Sequence, residues 1–247
     1  MNWRDFWNRE NPIYVNERHR VLHYDRIARG ISDLVDAPGW SVLDHGSGEA
    51  LSADLVAHRC ALLYVFDAAP NVQARQRLRF ENNQKIIVLT NESQSAIPDG
   101  SLDMIVANSL LQYLSHQEFE ALLDFWRAKL KPEGKLVLAD ILPTRPDALA
   151  DVRALLHFAW QGGFFFAACA GLVATWFSDY RQLRSSLGLT GYAESDLRVL
   201  LAAHGFEGTR APKNLGHNQS RMMMVARVKG CGLTPSRDSA TARSPTP

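Results

Sequence analysis

Cysteine is scarce in these 247 residues: Cys60, Cys169 and Cys231 are far apart, form no CxxC pair and leave an odd one over. That scarcity argues against a disulfide framework or a cysteine-rich zinc site, and suggests a reducing, intracellular setting. No metal centre is expected. Charge of one sign is also lacking, because 27 Lys and Arg against 26 Asp and Glu leave a net charge of +1. Affinity for nucleic acid is built largely from phosphate neutralisation, so no nucleic-acid partner is implied. The first fourteen residues, MNWRDFWNRENPIY, lack the unbroken apolar core of an export signal, and a cytoplasmic protein is expected. There is no internal repeat. A hydrophobic share of 46% in a chain of this length fits one well-packed domain with a modest addition.

From Trp40 onward, short apolar runs alternate with longer segments of helical spacing, the pattern of a βαβ series with a mainly parallel sheet. Strands are expected over 41–44, 62–67, 85–89, 102–108 and 135–141. Helices are expected over 50–59, 70–81 and 117–130, with Pro70 suited to a first helical turn and Pro132 and Gly134 ending the third. After a final helix over 194–204, two strands, 206–211 and 221–228, follow with only a turn-rich segment between them, so they should pair antiparallel at a sheet edge. Residues 230–247 carry Ser, Thr, Pro and Arg with little to bury, and a disordered tail is expected there.

The strongest local signal is Val42-Leu43-Asp44-His45-Gly46-Ser47-Gly48-Glu49-Ala50, a strand ending in an acid and then a small-residue loop opening a helix. Glycines let the backbone approach a ligand closely, and the helix N-terminus offers free N–H groups. By itself such a loop is weak evidence, because small residues also occur at tight βα turns that bind nothing. Asp67 ends the second strand about twenty residues later, where a carboxylate can accept hydrogen bonds from two ribose hydroxyls. A dinucleotide fingerprint would place its third glycine where Leu51 stands, which disfavours NAD.

This pattern resembles the class I S-adenosylmethionine-dependent methyltransferases, whose first motif is typically acid-x-Gly-x-Gly-x-Gly; here Ala50 replaces the last glycine. Further matches are Ile97 to Asp103 leading into the fourth strand, Asn108 to Leu114 after it, and Leu130 to Leu136 entering the fifth. The resemblance implies a Rossmann-like, doubly wound α/β fold: a mostly parallel seven-stranded sheet with a reversed last strand. It implies S-adenosyl-L-methionine as cofactor, with Asp44 and the backbone at Gly46 and Gly48 facing its methionine portion, Asp67 the ribose and Asn91 the adenine. Asn108 would stand beside the path of the methyl group, although a cap on the next turn explains it equally well. His217 and Asn218, on the loop between the last two strands, are the other candidates for catalysis and are expected to share a cavity with Asn108. Tyr14, His19, His23 and Tyr24 lie in a segment resembling the helical cover of many of these enzymes, within an N-terminal unit of residues 1–39. The methyltransferase domain would span 40–229.

Residues 147–189 interrupt the alternation as an insertion in that domain. Within it, 158–177, FAWQGGFFFAACAGLVATWF, is twenty residues without a formal charge. Its position before the closing helix and hairpin argues against a membrane span, leaving a helical cap over the acceptor, a surface dipping into the bilayer interface, or an oligomer contact. The expected acceptor is a small, apolar molecule, since no Asn-Pro-Pro-Tyr sequence follows the fourth strand and no cysteine follows a proline. A non-catalytic, cofactor-binding regulator of the same fold is the alternative.

Overall fold

The computed structural model describes residues 14–145, 147–176 and 189–230, together with Trp3, Trp7 and Asn8. A helix, α1 (Glu17–Asp33), precedes the sheet. Asn16 caps it by accepting the His19 N–H at 2.9 Å, and its inner face carries Ile27, Ala28 and Ile31. The alternating region follows: β1 (Ser41–His45), α2 (Ala53–Ala57), β2 (Leu62–Phe66), α3 (Pro70–Phe80), β3 (Ile86–Val88), β4 (Leu102–Asn108), α4 (His116–Lys129) and β5 (Leu130–Ile141). Pro70 begins α3, and Ser115 and Glu118 form a reciprocal capping box at the start of α4. The helix pair α5 (Ala148–Gly162) and α6 (Phe165–Trp176) comes next, and α7 (Glu194–Ala203), β6 (Phe206–Arg210) and β7 (Met222–Val228) close the fold.

The strands form one seven-stranded sheet in the order β3-β2-β1-β4-β5-β7-β6. β1 to β5 pair in parallel, whereas β7 runs antiparallel to both β5 and β6, so the reversed last strand sits inside the sheet and β6 forms its edge. Two apolar layers cover it. Leu43, Ile105, Leu136 and Phe206 pack with Phe119, Leu123 and Trp126 of α4 and Leu197 and Leu201 of α7 on one face. On the other, Val42, Val65 and Val106 meet Ile27 and Ile31 of α1, Val56 of α2 and Phe80 of α3. Successive strand residues point to opposite faces, so the near-continuous apolar runs supply both layers at once.

Two boundaries differ from the sequence expectation. The first helix after β1 starts only at Ala53, because Gly46, Gly48 and Ala50 all take left-handed backbone, at φ +85°, +58° and +48°. A helix cannot run through such residues. β5 begins directly at Leu130, with Lys131 to Gly134 bulging out between its pairings to Leu102 and Met104.

The insertion is helical over its described part. Gly163, left-handed at φ +70°, ends α5 and turns the chain into α6. Phe158, Ala159, Phe164 and Ala168 form a separate small core that takes in Val15 and Leu22. The pair therefore packs against α1, where Arg18 Nε donates to the Gly162 carbonyl. The remainder of the insertion, 177–188, and the tail, 231–247, lie outside the described residues.

Candidate cofactor and acceptor site

The loop after β1 is locked to its neighbours before any ligand arrives. The N–H groups of Gly46 and Ser47 donate to the Phe66 carbonyl at 2.7 and 2.9 Å. Gly48 N–H donates to the Asp67 carboxylate at 3.0 Å, and Ala69 N–H reaches its other oxygen at 2.9 Å. Helix α3 braces the loop from below: Gln76 Nε2 donates to Ser47 Oγ at 2.9 Å and to the Gly48 carbonyl, and Arg75 pairs with Glu49 at 2.6 Å. Tyr24 of α1 closes it from above, its hydroxyl accepting the Glu49 N–H at 2.9 Å. A Cβ on Gly48 would stand 2.6 Å from that hydroxyl, so only glycine leaves room for both the turn and the tyrosine.

Over this loop lies a cavity of about 540 Å³, within the usual range for a small-molecule site. Asp44, Gly46, Gly48, Asp67, Asn91 and Asn108 all line it, so every position expected to touch the cofactor faces one space. Its cover includes Trp3 and Trp7, which meet Tyr113 at ring-centroid distances of 6.2 Å and 5.7 Å. Tyr14, His23 and Tyr24 complete the cover from the N-terminal side. Of the covering residues visible in the sequence, Tyr14, His23 and Tyr24 line the cavity and His19 does not, while Trp3, Trp7 and Tyr113 join them without a role assigned from sequence. The signal for Trp3 and Trp7 is the aromatic character of the N-terminus, and for Tyr113 its place in the Asn108 to Leu114 match.

Burial dominates the electrostatics. It pushes the Asp44 carboxyl up to about 7, with the neighbouring Asp67 as the second cause. The Asp67 carboxyl is also raised by burial, against the downward pull of the Ala69 and Gly48 amides. Burial holds the imidazoles of His19 and His23 neutral down to about 4, and that of His45 down to about 3. His45 accepts the indole N–H of Trp126 at 3.1 Å, which fixes it against the floor of the site. Asn108, at the carboxyl end of β4, has a buried Oδ1 without a hydrogen-bond partner. A buried orphan acceptor is costly unless a ligand supplies the donor.

The second half of the expected catalytic set is corrected. His217 and Asn218 do not line the cavity with Asn108. The loop between β6 and β7 does reach the carboxyl end of the sheet, but its side chains turn to α1 and α5. His217 stacks on Phe158 at 4.9 Å, and Leu215 packs against Gly30 of α1. Asn218 Nδ2 donates to Asp151 at 2.6 Å, while its Oδ1 accepts from the Ser220 hydroxyl at 2.7 Å. Both side chains are thus spent on packing. Beside them Asp140, left-handed at φ +57°, accepts from the Ser109 hydroxyl at 2.6 Å and pairs with Arg221 at 2.9 Å. This network ties the end of β5 to the end of β4. Among the described residues, no group of His, Cys, Asp or Glu is arranged to hold a metal.

The comparisons agree with this geometry. Residues 43–138 match the family described as Methyltransferase domain. The ribosomal protein L11 methyltransferase of Burkholderia cenocepacia (strain HI2424) is 31% identical over 117 residues, 47% of this chain and 37% of that protein. The chain thus spans little more than a third of the length of the curated relatives it matches. The magnesium protoporphyrin IX methyltransferase of Synechocystis PCC 6803 with bound SAH superposes with a TM-score of 0.56 at 19% identity, covering 92% of this chain and 93% of that one. A methyltransferase in complex with the Trm112 activator from Haloferax volcanii gives 0.60 at 13% identity, covering 93% and 99%.

Proposed function

We propose that this chain, which carries a methyltransferase domain of the class I, S-adenosylmethionine-dependent type, transfers a methyl group from S-adenosylmethionine to a small, apolar acceptor. The observation that carries the reading is the convergence of Asp44, Asp67, Asn91 and Asn108 on one cavity above a pre-locked glycine loop. The residues fit the cofactor. Asp67 is positioned for the ribose, Asn91 for the adenine amine, and Asp44 with the orphaned Asn108 oxygen for the ammonium of the methionine portion. When bound, the sulfonium supplies an electrophilic methyl group. The protein's part is to fix the acceptor in line with it and to keep water out. Tyr14, Tyr24, Trp3, Trp7 and Tyr113 perform the second task by covering the cavity with rings.

An aromatic cover of this kind favours a small acceptor over a folded protein, and the lining offers rings and aliphatic side chains for an apolar one. The α5–α6 pair supports the site at one remove: it packs on α1, and α1 carries the residues facing the cavity. On its outer side Leu149, Trp160 and Phe166 are exposed, Trp160 by 73% and Phe166 by 87%. We propose the bilayer interface as the surface they meet, since tryptophan and phenylalanine beside the exposed Arg153 suit the headgroup boundary. No helix among the described residues is long and apolar enough to cross a membrane.

The test is direct. Calorimetry with S-adenosylmethionine, its demethylated product SAH and NAD should show binding of the first two alone. Incubation with labelled cofactor and cell extract should label a metabolite. Cofactor binding without any labelled product would support a regulator instead of an enzyme.

A further inference from the structure

Resting on the methyl-transfer reading, the next step concerns the chemistry of the acceptor. We infer that the acceptor is an uncharged hydroxyl compound of the phenol or enol type, and that the His23 imidazole takes its proton as the methyl group is transferred.

Placement is the first ground. In the sheet order, Asp67 and Asn91 follow β2 and β3 on one side of β1, whereas β4 and β5 lie on the other. His23 lines the cavity on the β4–β5 side: its electrostatic neighbours include Asp140 at the end of β5 and His217 of the following loop. Asp44 and Asn108 stand between. A cofactor with its ribose at Asp67 therefore directs its methionine end towards His23. The rings of Tyr14 and Tyr24 hold the imidazole from two sides, each at 5.4 Å between centroids.

Protonation is the second ground. The groups facing His23 are Tyr14, Tyr24, His19, His217 and Asp140. Burial keeps all three imidazoles below their ordinary range and both phenols above theirs. Asp140 is engaged by Arg221 and Ser109. At neutral pH His23 is therefore an uncharged imidazole with a lone pair open to a donor. So weak a base cannot strip a proton from an alkylammonium group to expose its lone pair. A hydroxyl oxygen, by contrast, has its lone pair while still protonated, and its proton becomes strongly acidic only as the new bond forms. A carboxylate acceptor needs no base, and the charged side chains among the described lining residues are the acids Asp44, Asp67 and Glu118. A thiol is a weak donor to an imidazole, which makes a hydroxyl the better match.

The balance of the step is simple. The acceptor oxygen forms its bond to the methyl carbon as the bond from that carbon to the sulfonium sulfur breaks, the bonding pair staying on sulfur. The hydroxyl proton passes to His23, and the imidazolium later returns it to solvent.

The experiment uses the full chain and a panel of uncharged phenols and hydroquinones, set against benzoates, primary amines and thiols of similar size. In SAH-saturated protein, the nitrogen NMR signals of His23 should report a neutral imidazole at pH 7 and move on addition of phenols but not of benzoates. With labelled cofactor, phenols should be methylated on oxygen. His23→Gln should lower kcat by roughly 10² to 10⁴-fold, the usual worth of a general base, while SAH affinity is retained. Label on amines, thiols or carboxylates alone, no labelled phenol at all, an undisturbed His23 signal, or a rate unaffected by His23→Gln overturns this assignment and leaves the methyl-transfer reading standing wherever SAH binds. Failure of the wild-type protein to bind SAH overturns both.

Discussion

Asp67 serves two structural purposes, and its replacement by Ala separates them. In the protein it accepts the amides of Gly48 and Ala69 at 3.0 and 2.9 Å. Losing both partners leaves two amides unsatisfied, at a cost on the order of 1 to 3 kcal/mol each where water cannot replace the carboxylate. The same substitution removes a charge that burial disfavours, as the raised carboxyl shows. These contributions oppose each other, so the stability of the ligand-free protein should fall by no more than about 2 kcal/mol. Cofactor binding has no such compensation. Two hydroxyl-to-carboxylate bonds vanish, and a loss of about 2 kcal/mol weakens SAH binding roughly 30-fold. Asp67→Asn keeps one acceptor oxygen without the charge and should fall between the two proteins. The assay is calorimetric titration with SAH, alongside thermal melts without ligand. Unchanged affinity in Asp67→Ala refutes the ribose assignment, and an affinity loss accounted for entirely by a reduced folded fraction refutes the separation.

The remaining predictions concern the loop, the pH response and the outer helix face. Gly48→Ala adds a Cβ 2.6 Å from the Tyr24 hydroxyl in left-handed backbone; SAH affinity should drop by about tenfold or more, and melting should fall by on the order of 1 to 3 kcal/mol of stability. The buried imidazoles of His19 and His23 stay neutral to about 4, while in the unfolded chain they protonate near 6.5, so the unfolded state binds more protons in that window. Stability present above 6.5 is therefore lost as the pH falls towards 4. Asp44 acts in the opposite sense: its folded carboxyl titrates at about 7 against 3.8 unfolded, so its contribution is lost as the pH rises through 7. The imidazoles and the carboxyl thus oppose each other between about 4 and 6.5, and the Asp44 loss acts alone only above 6.5. Asp44→Asn should gain stability relative to the wild type as the pH rises from 4 to 8, yet bind S-adenosylmethionine more weakly; a difference between the two proteins that stays constant over that range would contradict the carboxyl's burial. Finally, Trp160→Glu with Phe166→Glu should abolish co-sedimentation with phosphatidylcholine–phosphatidylglycerol vesicles and leave the melting temperature unchanged, because both side chains are already exposed. Retained sedimentation would remove this face as the contact.

Much of the core was legible in the sequence because its signals are local. An acid at a strand end, small residues at the turn and apolar runs of strand length each act within a few residues of themselves. The alternation of β1 to β5 and the closing hairpin therefore appear in the protein nearly where the sequence puts them. That Asp44, Gly46, Gly48, Asp67, Asn91 and Asn108 line one cavity follows from topology, since each sits at the carboxyl end of a parallel strand or in the loop after it, and such ends share one edge; the roles expected of them rest on the family resemblance.

His217 shows where this reasoning stops. It too lies beyond a strand end, but whether it faces the cavity depends on its tertiary partners, and the aromatic stack with Phe158 holds it on α5. The insertion's length and lack of charge were visible in the sequence, yet its docking on α1 through Val15 and Leu22 was not. The sequence by itself determined the order of elements, the antiparallel closing hairpin and the placing of two carboxylates at strand ends, since these follow from periodicity and from the chemistry of single turns. Only the tertiary structure decided which of four candidate rings near the N-terminus, Tyr14, His19, His23 and Tyr24, open onto the cavity, which histidine lines it, and how far burial shifts Asp44, because those are set by contacts between residues remote in the chain.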